Sequence, residues 1–105
     1  MFYTYLKLDV LKENKMYKYI ICIIFKHNNL NHSFCQTIAS LGESRQVLDC
    51  AWILISELDS ISIKDKLVTN IGAENNFFIS QLSFQADAAW LDLSQDVTKW
   101  LKSKL

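Results

Sequence analysis

The run Met16-Tyr-Lys-Tyr-Ile-Ile-Cys-Ile-Ile-Phe-Lys26 constrains this chain more than any other segment. Taken as a strand, it puts Tyr17, Tyr19, Ile21, Ile23 and Phe25 on one face and Ile20, Cys22 and Ile24 on the other. Both faces are then apolar, which marks a central strand covered on two sides. Tyr19 to Phe25 is its longest unbroken apolar stretch. That is far shorter than the ~20 residues needed to span a bilayer.

Ahead of this run, Phe2, Leu6, Leu8 and Val10 alternate with Tyr3, Tyr5, Lys7 and Asp9. Period two with one wet face predicts a half-buried strand, and the polar break at 12–15 predicts a β-hairpin joining the two runs. The alternation also argues that the residues before Met16 belong to the fold, and against Met16 as the true start. Residues 27–32, with three asparagines and two histidines, read as a loop. Ser33–Ala39 then reads as a third strand, completing an antiparallel meander.

Ser44 looks like a helix N-cap, and Val47, Leu48, Ala51, Trp52, Ile55 and Leu58 follow at helical spacing, predicting a helix over 44–59. Ser62 with Asp65 resembles a capping pair. Ile63, Leu67 and Ile71 sit four apart, and Gly72 can close that second helix. Asn76–Phe84 reads as a strand. The C-terminus has two readings. One is a single helix from near Asp87 carrying Trp90, Leu93, Val97, Trp100 and Leu101. The other is a strand at 89–93 followed by a helix over 95–104 capped by Ser94. The second is preferred: Ala86-Asp87 can turn a hairpin, and Asp96 near the start with Lys99, Lys102 and Lys104 near the end suits the helix dipole.

The expectation is one α+β domain over residues 1–105. An antiparallel sheet begins with the N-terminal β-meander and is packed on one face by two or three helices, the 44–59 helix and the C-terminal helix among them. A chain of 105 residues can bury one continuous core. The regular βα alternation of a doubly wound fold is missing.

Composition narrows the function. There is no proline, and the only glycines are Gly42 and Gly72, so neither a phosphate-cradling loop nor a dinucleotide fingerprint can be written. No cofactor is expected. Arg45 is the single arginine, which argues against nucleic-acid reading by bidentate arginine contacts. Cys22, Cys35 and Cys50 are odd in number, and Cys22 sits in the apolar run. This is not a disulfide framework and fits a reducing compartment, where a buried cysteine behaves as a small hydrophobe. The N-terminus lacks the basic tip and apolar block of a signal peptide, so a cytoplasmic location without membrane contact is expected.

Two constellations could carry chemistry. Cys22, His27, His32 and Cys35 have the spacing C-x4-H-x4-H-x2-C, four zinc-compatible ligands. This matches no usual paired-ligand pattern, and Cys22 should face core. No metal is therefore expected. Cys35 beside His27 or His32 would make an activated thiol, but no third orienting group can be named.

Charge is more informative. Lys7, Lys12, Lys15, Lys18 and Lys26 stand against Asp9 and Glu13 in residues 1–35, a net of +3, so residues 36–105 carry −3 in a chain of zero net charge. Glu74, Asp87, Asp92 and Asp96 form a candidate acidic recognition patch there. Tyr3, Tyr5, Tyr17 and Tyr19 would be interface residues only if left uncovered, and core packing is the simpler reading.

These features favour a small non-enzymatic inhibitor of the immunity or antitoxin type. It would neutralise a basic protein partner, such as a nuclease toxin, by direct binding and occlusion. The alternatives are a self-associating structural or scaffold subunit, and a small metal-binding or Cys/His enzyme.

Overall fold

A computed structural model describes residues 16–26, 30–72, 74–83 and 87–105, with the backbone alone at Leu30 and Asn31. Its elements are β1 (Tyr17–Ile24), α1 (Leu30–Leu41), β2 (Glu43–Leu48), β3 (Ala51–Ser56), α2 (Ser60–Ile71), β4 (Asn76–Gln81) and α3 (Gln95–Lys104). The strands form one antiparallel sheet in the order β2-β3-β1-β4. The fold is thus α+β, an antiparallel sheet beginning with β1 and flanked by three helices.

β1 is central, as its two apolar faces require. It pairs with β3 from Tyr17↔Ser56 to Cys22↔Ala51 and with β4 from Tyr19↔Gln81 to Ile24↔Asn76. Its odd-numbered residues bond their backbones to β3, continued by Ile23 N–H to Cys50 C=O at 2.8 Å. Its even-numbered residues bond to β4, continued by Leu82 N–H to Lys18 C=O at 2.7 Å. Both edges of β1 are therefore taken by β3 and β4. This corrects the predicted pairing of β1 with residues 2–10, which themselves lie outside the described residues.

One face of the sheet carries Tyr19, Ile21, Ile23, Trp52 and Leu54. These pack against Phe34, Ile38 and Leu41 of α1 and Ile63, Leu67 and Ile71 of α2. Phe34 sits edge-on to both Trp52 and Phe25, with centroids 4.7 and 5.4 Å away. The opposite face carries Ile53 and Ile55, covered by Trp100 and Leu101 of α3 with Trp90, Leu93 and Val97 at the margin. Two helices share one face, but they are α1 and α2; the C-terminal helix α3, expected on that same face, takes the other.

Two assignments change. Residues 33–39 are helical, within α1. Phe34, Ile38 and Leu41 recur at i, i+4, i+7, and the Thr37 and Ser40 hydroxyls donate to the helix carbonyls of Ser33 and Thr37. Residues 44–59 are β2 and β3 joined at Asp49-Cys50. As a helix, 44–59 would have pointed Ile53 away from the apolar stripe. As the second internal strand, Ala51–Ser56 is buried at every position.

The second and C-terminal helices hold with small shifts, the strand predicted over Asn76–Phe84 is β4 and ends at Gln81, and the loop predicted over 27–32 gives way to α1 from Leu30. α2 starts one turn before Ser62: Asp59 is its N-cap and accepts from Ser62 N–H at 2.8 Å. That bond holds the Asp59 carboxyl below its ordinary pKa. Gly72, at φ 87°, closes α2 through its N–H on Val68 C=O, a conformation that favours glycine. Ser94 caps α3, accepting from Val97 N–H at 3.2 Å, but the strand at 89–93 does not form.

Polar groups in the core are satisfied. Buried Asn75 donates to Ile71 C=O and accepts from Lys26 N–H, pinning the end of α2 to the end of β1. Ser56 Oγ donates to Leu41 C=O and accepts from Leu58 N–H, and Tyr19 donates to Leu58 C=O at 2.6 Å.

Phe34→Ala should therefore cost about 3–5 kcal/mol, a large share of the stability of a domain this size. A Cβ at Gly42 would run into the carbonyl oxygen of Ile55, so Gly42→Ala should also be strongly destabilising. Urea unfolding midpoints measure both. Midpoints equal to the parent's would contradict the packing.

Candidate functional site

α3 is held to the sheet by a polar latch laid over its apolar stripe. Trp100 Nε1 donates to Glu43 Oε2 at 2.7 Å, and Lys104 Nζ lies 3.2 Å from Glu43 Oε1. The Arg45 guanidinium lies 5.2 Å from the centre of the Trp100 ring, and its Nε is 3.7 Å from Asp96 Oδ2. Glu43 and Arg45 share this face because they sit opposite Ile55 and Ile53 in the register. The indole N–H, then the Lys104 ammonium, holds the Glu43 carboxyl below its ordinary range.

Docked this way, the start of α3 stands against the β2–β3 turn and leaves a cleft of about 280 Å³. Gln46, Val47, Leu48 and Asp49 form one wall, and Asp92, Leu93, Ser94 and Val97 form the other. Each wall contributes one aspartate. Among the described residues, no lysine or arginine lies within ion-pair distance of Asp49 or Asp92. Asp92 has φ 61°, the left-handed region that aspartate tolerates better than most residues. Leu48, on the cleft wall, is 60% exposed, and Leu91, beside Asp92, is 90% exposed. Among the described residues, the lining holds no histidine, cysteine or lysine. The arrangement can receive a cationic group between two carboxylates beside an apolar rim.

The predicted acidic patch is only partly gathered here. Asp92 lines the cleft. Asp96, in the first turn of α3, faces Arg45 and is compensated. Glu74 lies in the α2–β4 turn, and Asp87 in the segment leading to α3; both are exposed, and neither lines this cleft. Asp49 was missed because residues 44–59 read as a helix. Its signal was an aspartate between two apolar runs, the ordinary mark of a turn.

The cysteine–histidine spacing is not brought together. Cys22 points to the face that carries α3, whereas His32 and Cys35 lie exposed on α1, across the sheet. His27 lies outside the described residues. Among the described residues, no group of three or more potential ligands could hold a metal ion. Tyr19 is buried and Tyr17 half-buried under the helices, so they form no interface patch, and Tyr3 and Tyr5 lie outside the described residues.

A larger cavity, about 490 Å³, opens at the end of α1 between Leu41, Gly42, Ser56 and Leu58. Its charged groups, Glu57 and Lys66, are of opposite sign, and the Ser56 hydroxyl is already used in the fold. No helix among the described residues is long and apolar enough to cross a membrane. No protein-family model, curated protein or solved structure matches this chain.

Because the Glu43 carboxyl is depressed in the folded state, its contribution to stability is complete above the ordinary glutamate pKa. It is lost as pH falls through the lower folded value. Unfolding midpoints taken from neutral to acid pH should fall less steeply for Glu43→Gln than for the parent. Identical slopes would contradict the latch.

Proposed function

We propose that this chain is a non-enzymatic protein-binding inhibitor whose cleft beside α3 seats a basic side chain of its protein partner. Binding there neutralises the partner by occlusion, in the manner of an immunity or antitoxin protein facing a basic toxin such as a nuclease.

The observation that carries this reading is the pair Asp49 and Asp92, one on each wall of the cleft and neither matched by a cation among the described residues. An uncompensated carboxylate pair attracts a lysine or arginine from outside, and opposite charge speeds encounter. The exposed Leu48 and Leu91 supply apolar contact beside the charges. Glu74 and Asp87 add negative charge elsewhere on the surface. The lining hydroxyl, Ser94, is engaged as the cap of α3 by Val97 N–H and has no histidine beside it among the described lining residues, which suits binding better than catalysis.

The test is capture of a partner from the lysate of the source cells, followed by affinity measurement with the purified partner. Asp49→Asn with Asp92→Asn removes both charges while keeping the backbone, since asparagine also adopts the left-handed conformation. Binding should weaken about tenfold in the double variant, and in the parent as salt is raised. Asp96→Asn should change little, because its charge already faces Arg45. A basic partner bound equally well by parent and double variant would overturn the reading.

A further inference from the structure

We propose that β4 is a self-association edge, along which a second copy of this chain pairs antiparallel through Phe78 at a two-fold axis. The two outer strands of the sheet differ sharply. β2 carries Glu43 and Arg45, is interrupted by a bulge between Gln46 and Leu48, and has α3 latched to it. Charge, bulge and cover are the usual devices that prevent edge pairing. Among the described residues, β4 has none of them. Its sequence, Asn-Phe-Phe-Ile-Ser-Gln, is free of charge and proline, its pairing with β1 is unbroken, and among the described strands β1 is its one neighbour.

The backbone phase shows which groups are free to pair. Leu82 N–H donates to Lys18 C=O, so in the continuing register Ser80, Phe78 and Asn76 also turn their backbones toward β1. Phe77, Ile79 and Gln81 turn theirs outward. A two-fold axis perpendicular to the sheet keeps each side chain on its own face, so the strand can pair with itself centred on one residue. Centred on Ile79, it would set Phe78 against Ser80 and Phe77 against Gln81. Centred on Phe78, it sets Phe78 against Phe78 and Phe77 against Ile79, apolar against apolar on both faces.

The Phe78 register uses the outward groups of Phe77 and Ile79 as hydrogen-bonded pairs. It leaves Phe78 in the non-bonded position, where side chains approach most closely.

The face beside this edge points to the same occupant. Phe78 is 64% exposed and Ile24 69%, and Cys22 lies directly opposite Phe78 on β1. Across the two-fold, these residues join into one apolar strip running from Ile24 of one copy to Ile24 of the other. A charged strand finds no complementary charge on this edge, whereas a second copy brings no like charges together. A six-residue strand is only about 20 Å long, so the contact lies at the small end of interface sizes and the dimer should be weak.

The experiment is sedimentation velocity over a concentration series from low to high micromolar, with Phe78→Lys and Phe78→Glu as variants. Phe78 is exposed, so both should unfold like the parent. The parent should show a reversible monomer–dimer equilibrium. Each variant alone should lose the dimer, because like charges meet at the axis, and an equimolar mixture of the two should regain it. In the parent, the amides of Phe77 and Ile79 should gain exchange protection as concentration rises, and those along β2 should not. A parent that stays monomeric overturns the proposal. If its Phe77 and Ile79 amides are already protected, another part of this chain occupies the edge. A Phe78→Lys variant that dimerises like the parent, or a mixture that stays monomeric, overturns it as well.

Discussion

Everything in this fold follows from a strand that has to be covered on four sides. β1 gives its odd-numbered backbone groups to β3 and its even-numbered ones to β4. Its odd-numbered side chains enter the core under α1 and α2, and its even-numbered ones face the side of α3. Seven consecutive apolar residues, from Tyr19 to Phe25, leave no wet face, so the rest of the chain has to supply two neighbouring strands and two layers. β3 repeats the demand, being buried throughout. The two layers are unequal. Two helices fill one side, whereas α3 covers only the β2–β3 half of the other, leaving Ile24 and Phe78 exposed.

That asymmetry is what creates the cleft. A single helix on an open sheet face needs anchoring beyond its small apolar stripe. Glu43 provides it by receiving the Trp100 indole and the Lys104 ammonium on separate carboxylate oxygens. The anchor lies in the middle and last turns of α3, so its first turn is held at the β2–β3 turn and the two aspartates are set across a cleft. Charge-assisted hydrogen bonds are stronger than neutral ones, and they fix orientation as well as position. The function proposed for the cleft thus rests on an interaction some distance from it.

Much of the fold was legible in the sequence where one pattern admitted one reading. β1 declared itself by two apolar faces, α2 by Ile63, Leu67 and Ile71 with Gly72, and α3 by Ser94 and its charge gradient. Two segments misled for a shared reason. In 33–39 and 44–59 the apolar residues satisfy both a helical and an extended spacing, and the choice is made by the neighbours. Trp52 and Leu54 belong in a strand because β1 offers its odd-numbered edge, and Phe34 and Ile38 belong in a helix because the sheet's face needs a cover. Such tertiary demands override local pattern. The site was half legible. Asp92 and Asp96 stood out as acids close in sequence. That Arg45, 51 positions away, would compensate one and leave the other depended on the register of β2, which no local signal carries.

The most direct test of this account is a set of cross-strand Hα–Hα contacts in the NMR spectrum of the labelled protein. They arise between non-hydrogen-bonded partners of antiparallel strands. The topology predicts Ile20 with Ile53 and Cys22 with Ala51 on one side of β1, and Ile21 with Ile79 and Ile23 with Phe77 on the other. Both sets together would establish β1 as the central strand, and with it the two faces and the cleft. Contacts from Ile21 and Ile23 to residues 2–10 in place of β4 would contradict the account at its foundation.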